Sequence, residues 1–136
     1  MSASNVAERD MVNWVTGATV SPPTVLYYAL CTTAPDDATK GTEPSGGNYS
    51  RASVGIGATN WTAAGINTAG SNKLLVTFAT PSASWGHVTH WALWSHLTDV
   101  TVDTYRQWWG VLSAAIDPGT NDTVKVAIGA LTLSID

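Results

Sequence analysis

The hydrophobic positions along this chain follow two rhythms. Between residues 4 and 16 they recur at helical intervals, with Val6, Ala7, Met11, Trp14 and Val15 on one side and Glu8, Arg9, Asp10 and Asn13 left for solvent. This predicts one short helix, capped by Ser4 or Asn5, with Asn5 and Glu8 at capping-box spacing and Gly17 as its left-handed terminator. A helix this short persists only if its apolar side docks on something. Past Ser21-Pro-Pro-Thr24 the rhythm changes to short runs rich in β-branched and aromatic residues.

Those runs predict strands over 25–32, 48–54, 73–80, 85–95 and 104–113, a short one near Trp61, one over Val124, Val126 and Ile128, and a last one over Leu131, Leu133 and Ile135. In the 104–113 run Tyr105, Gln107, Trp109 and Val111 face one way and Arg106, Trp108, Gly110 and Leu112 the other. Turn formers fill a long loop at 34–47, residues 97–103 read as a hairpin tip, and Asp117-Pro-Gly-Thr-Asn-Asp122 is a turn. About seven or eight strands at this spacing predict an all-β fold, an antiparallel β-sandwich in its plain or jelly-roll form, with one N-terminal helix. The whole chain, 1–136, reads as a single domain, with 1–17 a helical arm and 34–47 a contact arm.

The stretch Trp85–Trp94 holds three of the seven tryptophans and two of the three histidines, and neither of its faces is plainly polar. A strand of this kind lies between two layers or against a neighbouring chain. Trp108 and Trp109 pose the same choice, since adjacent strand residues point to opposite faces.

Charged residues make up 12% of the chain, about half the usual share, and the net charge is −4. The six basic residues form no stripe for nucleic acid, and no apolar run approaches the roughly 20 residues of a membrane span. Glu8, Arg9 and Asp10 stand where a signal peptide needs an apolar run, and the single Cys31 excludes an internal disulfide framework; synthesis in a reducing cytoplasm is expected. Such low charge suits a surface shared with neighbours, in which both chain ends, from Met1 onward, are held.

Candidate chemistry is thin. His87 and His90 fall on opposite faces of a strand, and with His96 they lack a supporting carboxylate or cysteine, so hydrogen-bonded structural histidines are expected and no metal. Cys31 sits in an apolar strand with nothing to activate a thiolate. Asp36, Asp37 and Glu43 share a loop without the pattern of a calcium loop. No cofactor and no catalytic constellation are expected. Trp61, Trp94 and Trp108 remain, as a sugar-stacking platform or as anchors of protein contacts.

Several stretches resemble a family of small phage virion proteins. They are Asn13–Gly17, Tyr28–Pro35, the loop Gly41-Thr-Glu-Pro-Ser-Gly-Gly-Asn-Tyr-Ser-Arg51, the strand Ser84-Trp-Gly-His-Val-Thr-His-Trp-Ala-Leu93, and an apolar close near Leu131 to Asp136. The likeness spans nearly the whole chain and departs at Thr98 to Tyr105, where a shorter Gly-rich turn belongs, and at the extra Trp94 and Trp108. It implies a virion protein that binds and does not catalyse. The first expectation is a capsid decoration (cement) protein on the outer shell, a homotrimer whose partners are the major capsid protein and its own copies; the alternative is a tail-fibre or tail-tip component touching a host receptor or glycan. Val6, Met11, Trp14, Pro35, Thr42, Glu43, Tyr49, Arg51, Trp94 and Trp108 are the candidate subunit or capsid contacts.

Overall fold

A computed structural model describes residues 2–65 and 68–133. The elements run β1 (Ser2–Ala3), α1 (Asn5–Val15), β2 (Tyr27–Cys31), β3 (Ala52–Ser53), β4 (Trp61–Thr62), β5 (Gly70–Asn72), β6 (Val76–Thr77), β7 (Val88–Trp94), α2 (Val102–Tyr105), β8 (Arg106–Ile116), β9 (Lys125–Val126) and β10 (Thr132–Leu133). Met1 and Ile135, which carried the expectations for a held start and a last inward residue, lie outside the described residues.

All pairings are antiparallel, in a five-stranded sheet of order β1-β8-β7-β2-β3, a three-stranded sheet β10-β5-β4 and the pair β6-β9. The chain is all-β and sandwich-like. β7 is the centre of the large sheet, with Tyr27 opposite Trp94 and Cys31 opposite His90 across β2. One face, bearing Tyr28, Leu30, Trp91 and Leu93, packs on Val76, Phe78, Val124 and Leu131 from around the smaller sheets. The other, bearing Ala29, Cys31, Ala92 and Trp94, packs on Val102, Tyr105 and Trp109. The two-sided apolar character of β7 therefore reflects two layers of the same chain. Trp108 and Trp109 divide between the two faces in the same way.

Several boundaries differ from the sequence expectation, each for a local reason. The helix cap is Ser4, whose hydroxyl accepts the Ala7 N–H at 3.4 Å; the Asn5–Glu8 box is not the cap, and Gly17 at φ 82° terminates as expected. The expected strand 48–54 shrinks to β3 because Asn48 takes φ 63° and Tyr49 N–H closes a turn onto the Gly46 carbonyl. The expected 73–80 strand shortens to β6 because Asn72, just ahead of it, holds its first residues in a turn. The buried Asn72 amide donates to the Leu74 and Ala127 carbonyls and accepts the Leu131 N–H, pinning a turn that leaves Leu74 and Leu75 exposed. The 97–103 hairpin tip runs into α2: Asp99 accepts the Thr101 N–H and hydroxyl, Tyr105 N–H bonds back to Thr101, and β8 starts at Arg106. The pattern over Val124, Val126 and Ile128 shortens to β9, leaving Ile128 exposed.

β8 has two irregularities: at its start Leu93 lies opposite Trp108 and Trp94 opposite Arg106, so Gln107 is an extra residue, and the second is longer. Val111 lies opposite His90 and Ile116 opposite Val88, so Leu112 to Ala115 bow out with no partner on β7. On the other side β1 reaches only Trp108 and Trp109.

Candidate functional site

Two regions gather the candidate contact residues. The first is the 34–47 loop, which is tied down along its length rather than extended as an arm. Pro35 is fully buried, and the Asp36 carboxylate accepts the Ala38 and Thr39 N–H groups at 2.8 and 2.7 Å. These backbone bonds hold the Asp36 carboxyl below its ordinary pKa. The buried Arg106 guanidinium donates to the Thr39 carbonyl at 2.6 Å and to the Asp36 carbonyl, and lies 5.8 Å from the Trp109 ring. Exposed Thr42 pairs with Thr33: its N–H donates to the Thr33 hydroxyl at 2.8 Å, while its carbonyl accepts the Thr32 N–H at 2.7 Å. Glycine is required at two bends. A Cβ on Gly41 (φ 70°) would stand 2.8 Å from the Thr33 carbonyl oxygen, and one on Gly47 (φ 56°) 2.9 Å from that of Ala83. Gly47 also offers its carbonyl to the Trp85 indole N–H at 2.8 Å.

The loop closes on Glu43, Tyr49 and Arg51. The Glu43 carboxylate meets Arg51 Nη2 at 2.6 Å and Nε at 3.1 Å, and accepts the Tyr49 hydroxyl at 3.0 Å. Burial first, and then the Glu43 charge, push the Tyr49 phenol well above its usual pKa, so it stays a donor. Arg51 Nη1 donates to the His96 and Asp99 carbonyls at 2.7 and 3.0 Å, and its guanidinium lies 4.1 Å over the Trp94 ring. The Arg51 side chain is 3% exposed. One cation thus joins the loop, the β7 end and the 96–99 turn. Trp94, expected as a partner-specific contact, is fully buried beneath it. Trp61, half-buried, donates its indole N–H to the Gly55 carbonyl and packs, like Trp108, on the core opposite that of Trp94, whose ring is buried, so the three tryptophans form no shared platform.

The second region is α1. Val6 is buried and docks the helix, whereas Met11, Val12, Trp14 and Val15 are 36%, 62%, 72% and 74% exposed. Beside them runs a groove of about 350 Å³ walled by Met11, Trp14, Pro22, Pro23 and Trp108. The Trp108 indole N–H is buried without a partner. Of the ten candidate contacts, then, Met11, Trp14 and Thr42 are exposed, Val6, Pro35, Arg51 and Trp94 are buried, and Glu43, Tyr49 and Trp108 lie between.

The reactive side chains have structural partners. Cys31 is buried, and desolvation, with Glu43 second, pushes its thiol up to about 12. Thr89 and His90 share a hydrogen bond at 2.7 Å, and the His96 ring nitrogen accepts the Thr98 and Asp99 N–H groups. His87 does have a carboxylate, Asp117 at 2.8 Å, contrary to the expectation from spacing; both are exposed. Among the described residues no three His, Cys, Asp or Glu side chains gather as a metal site. The sequence reading placed Arg106 on one strand face with Trp108, Gly110 and Leu112, whereas the extra residue at Gln107 sets it opposite Trp94 on the other side; it also missed Val12, which breaks the helical stripe yet extends the exposed apolar surface.

A family model described as podophage GP4 fiber I protein gp80 matches residues 2–134. No curated protein matches the chain.

Proposed function

The chain belongs to the podophage GP4 fiber I protein gp80 family and is a structural protein of the phage virion; from that premise we propose that it is a fibre subunit that acts by binding, not by catalysis. The observation that carries this reading is the exposed apolar face of α1 on a domain whose two other apolar layers are closed within the chain. A contiguous apolar patch of that kind marks a protein contact. The partners are its own copies and the virion protein that carries the fibre. Assembly then follows mass action, each contact adding stability to the assembled state alone. The Glu43–Arg51 lock supports the reading by making the subunit rigid before it binds, which lowers the ordering cost of association.

The fibre in the family's description supports this reading, and capsid decoration, which the sequence resemblance put first, is the alternative. The test is immunogold labelling of virions, with cryo-electron microscopy of virions lacking the protein. Label and lost density at a fibre are expected. Label spread over the outer shell, with shell density lost, overturns the proposal in favour of capsid decoration.

A further inference from the structure

We propose that the α1 face binds a second copy of this chain, the two helices packing antiparallel about a two-fold axis with each Trp14 entering the groove beside the other's α1. This names the partner of the surface invoked above and rests on the reading of the protein as a binding subunit.

The area is of the right size. Trp14 at 72% exposure, with Met11, Val12 and Val15, presents on the order of 300 Å² of apolar side chain. The walls of the groove, among them Pro22 and Pro23, add to it. A stable interface takes about 800 Å² per partner, a little over half of it apolar. α1 and its groove therefore supply most of the apolar share of one such face.

The shape and charge choose the partner. Trp14 is a knob that also borders the hollow, so one patch carries both complementary shapes, which is the condition for an isologous contact. All charges on α1 lie in its first half, Glu8, Arg9 and Asp10, and none follows from Met11 to Ala18. Antiparallel packing sets the charged half of each helix beside the uncharged half of the other, whereas parallel packing would bring Glu8 against its own copy, Asp10 being paired with Arg9.

The experiment is sedimentation equilibrium of the full chain from about 1 to 300 μM, with tryptophan emission followed over the same range, for wild type, Trp14→Ser, Val15→Asp and Val15→Lys. A dimer is expected, with emission shifting to shorter wavelength as it forms. Trp14→Ser should raise Kd at least about 30-fold, as expected for an aromatic hot spot. Val15→Asp should weaken the dimer more than Val15→Lys, because residue 15 of one copy then sits near Glu8 of the other, Asp10 being already paired with Arg9. Unchanged near-ultraviolet circular dichroism shows that each variant is folded; for one that is not, the wild-type mass and emission series decide. A wild-type monomer throughout, a trimer indifferent to Trp14→Ser, or equal effects of Val15→Asp and Val15→Lys overturns the proposal. A monomer found at the fibre in virions leaves the proposed function standing, and a dimer found on the shell overturns the function alone.

Discussion

Replacing Arg51 by methionine keeps much of its length over Trp94 and removes only its charge and its donors. The loss is large because of what remains. Glu43 keeps a carboxylate 18% exposed, and the His96 and Asp99 carbonyls lose the N–H groups that met them at 2.7 and 3.0 Å. Removing one partner of a buried pair costs about 3–5 kcal/mol, against about 0–1 kcal/mol for an exposed pair. Given a total stability of about 5–15 kcal/mol, Arg51→Met should take away about a fifth or more and lower Tm by about 10–20 °C. Urea unfolding followed by tryptophan emission measures this as a shift in midpoint at constant slope. Glu43→Gln and the double variant complete a cycle. The double should be less destabilised than the sum of the singles by about 1–3 kcal/mol, since the carboxylate no longer stands alone. A loss below about 1 kcal/mol for Arg51→Met, or strict additivity, would refute the lock and return Arg51 to the surface role suggested by the sequence.

Gly47→Ala should destabilise by about 2–3 kcal/mol, because a residue at φ 56° is strained and its Cβ meets the Ala83 carbonyl oxygen; Gly46→Ala, with open space around its Cβ, should cost less in the same unfolding assay. Cys31, its thiol raised to about 12, should resist a thiol-specific disulfide reagent at pH 8 in the native state and react fully in denaturant; fast native labelling would contradict its burial. The Asp36 and Asp99 carboxyls are held below their ordinary values by hydrogen bonds, from Thr39 and Ala38 N–H groups in one case and from Thr101 in the other. A depressed folded value means stabilisation that is complete above about pH 4 and lost as pH falls through that value. Protection of the amides across 36–39 and 99–101, taken relative to their intrinsic exchange rates, should therefore fall only in acid, and Asp99→Asn should remove the effect in the second turn; no acid dependence of protection in wild type would contradict it.

The sequence revealed elements wherever a side-chain period ran uninterrupted. α1, β2 and β7 were legible because five or more consecutive residues kept one rhythm. The shorter strands were not, because their limits are set by single polar groups reaching across the fold. Asn72 shortens the strand that follows it through carbonyls at 74 and 127, and no local pattern reports a partner 55 positions away. The contact candidates show the same limit. Glu43, Tyr49 and Arg51 stood out as polar motif residues, and the motif serves to hold the loop on its own domain. For α1 the period gave the apolar face correctly but not which part of it would dock, and only Val6 does so.

The bow in β8 has a consequence for how this fold can change. Because a strand shows alternate faces, adding or deleting one residue ordinarily turns everything downstream inside out. Leu112 to Ala115 belong to no ladder, so length can vary there while Val111 keeps its place opposite His90 and Ile116 its place opposite Val88. The bow works as a splice joint between two reading frames of side-chain direction, and its exposed part, Ser113 to Ala115 beyond the core-packed Leu112, is where a lineage could lengthen this domain, or an engineer insert a display peptide, with both hydrophobic layers left intact.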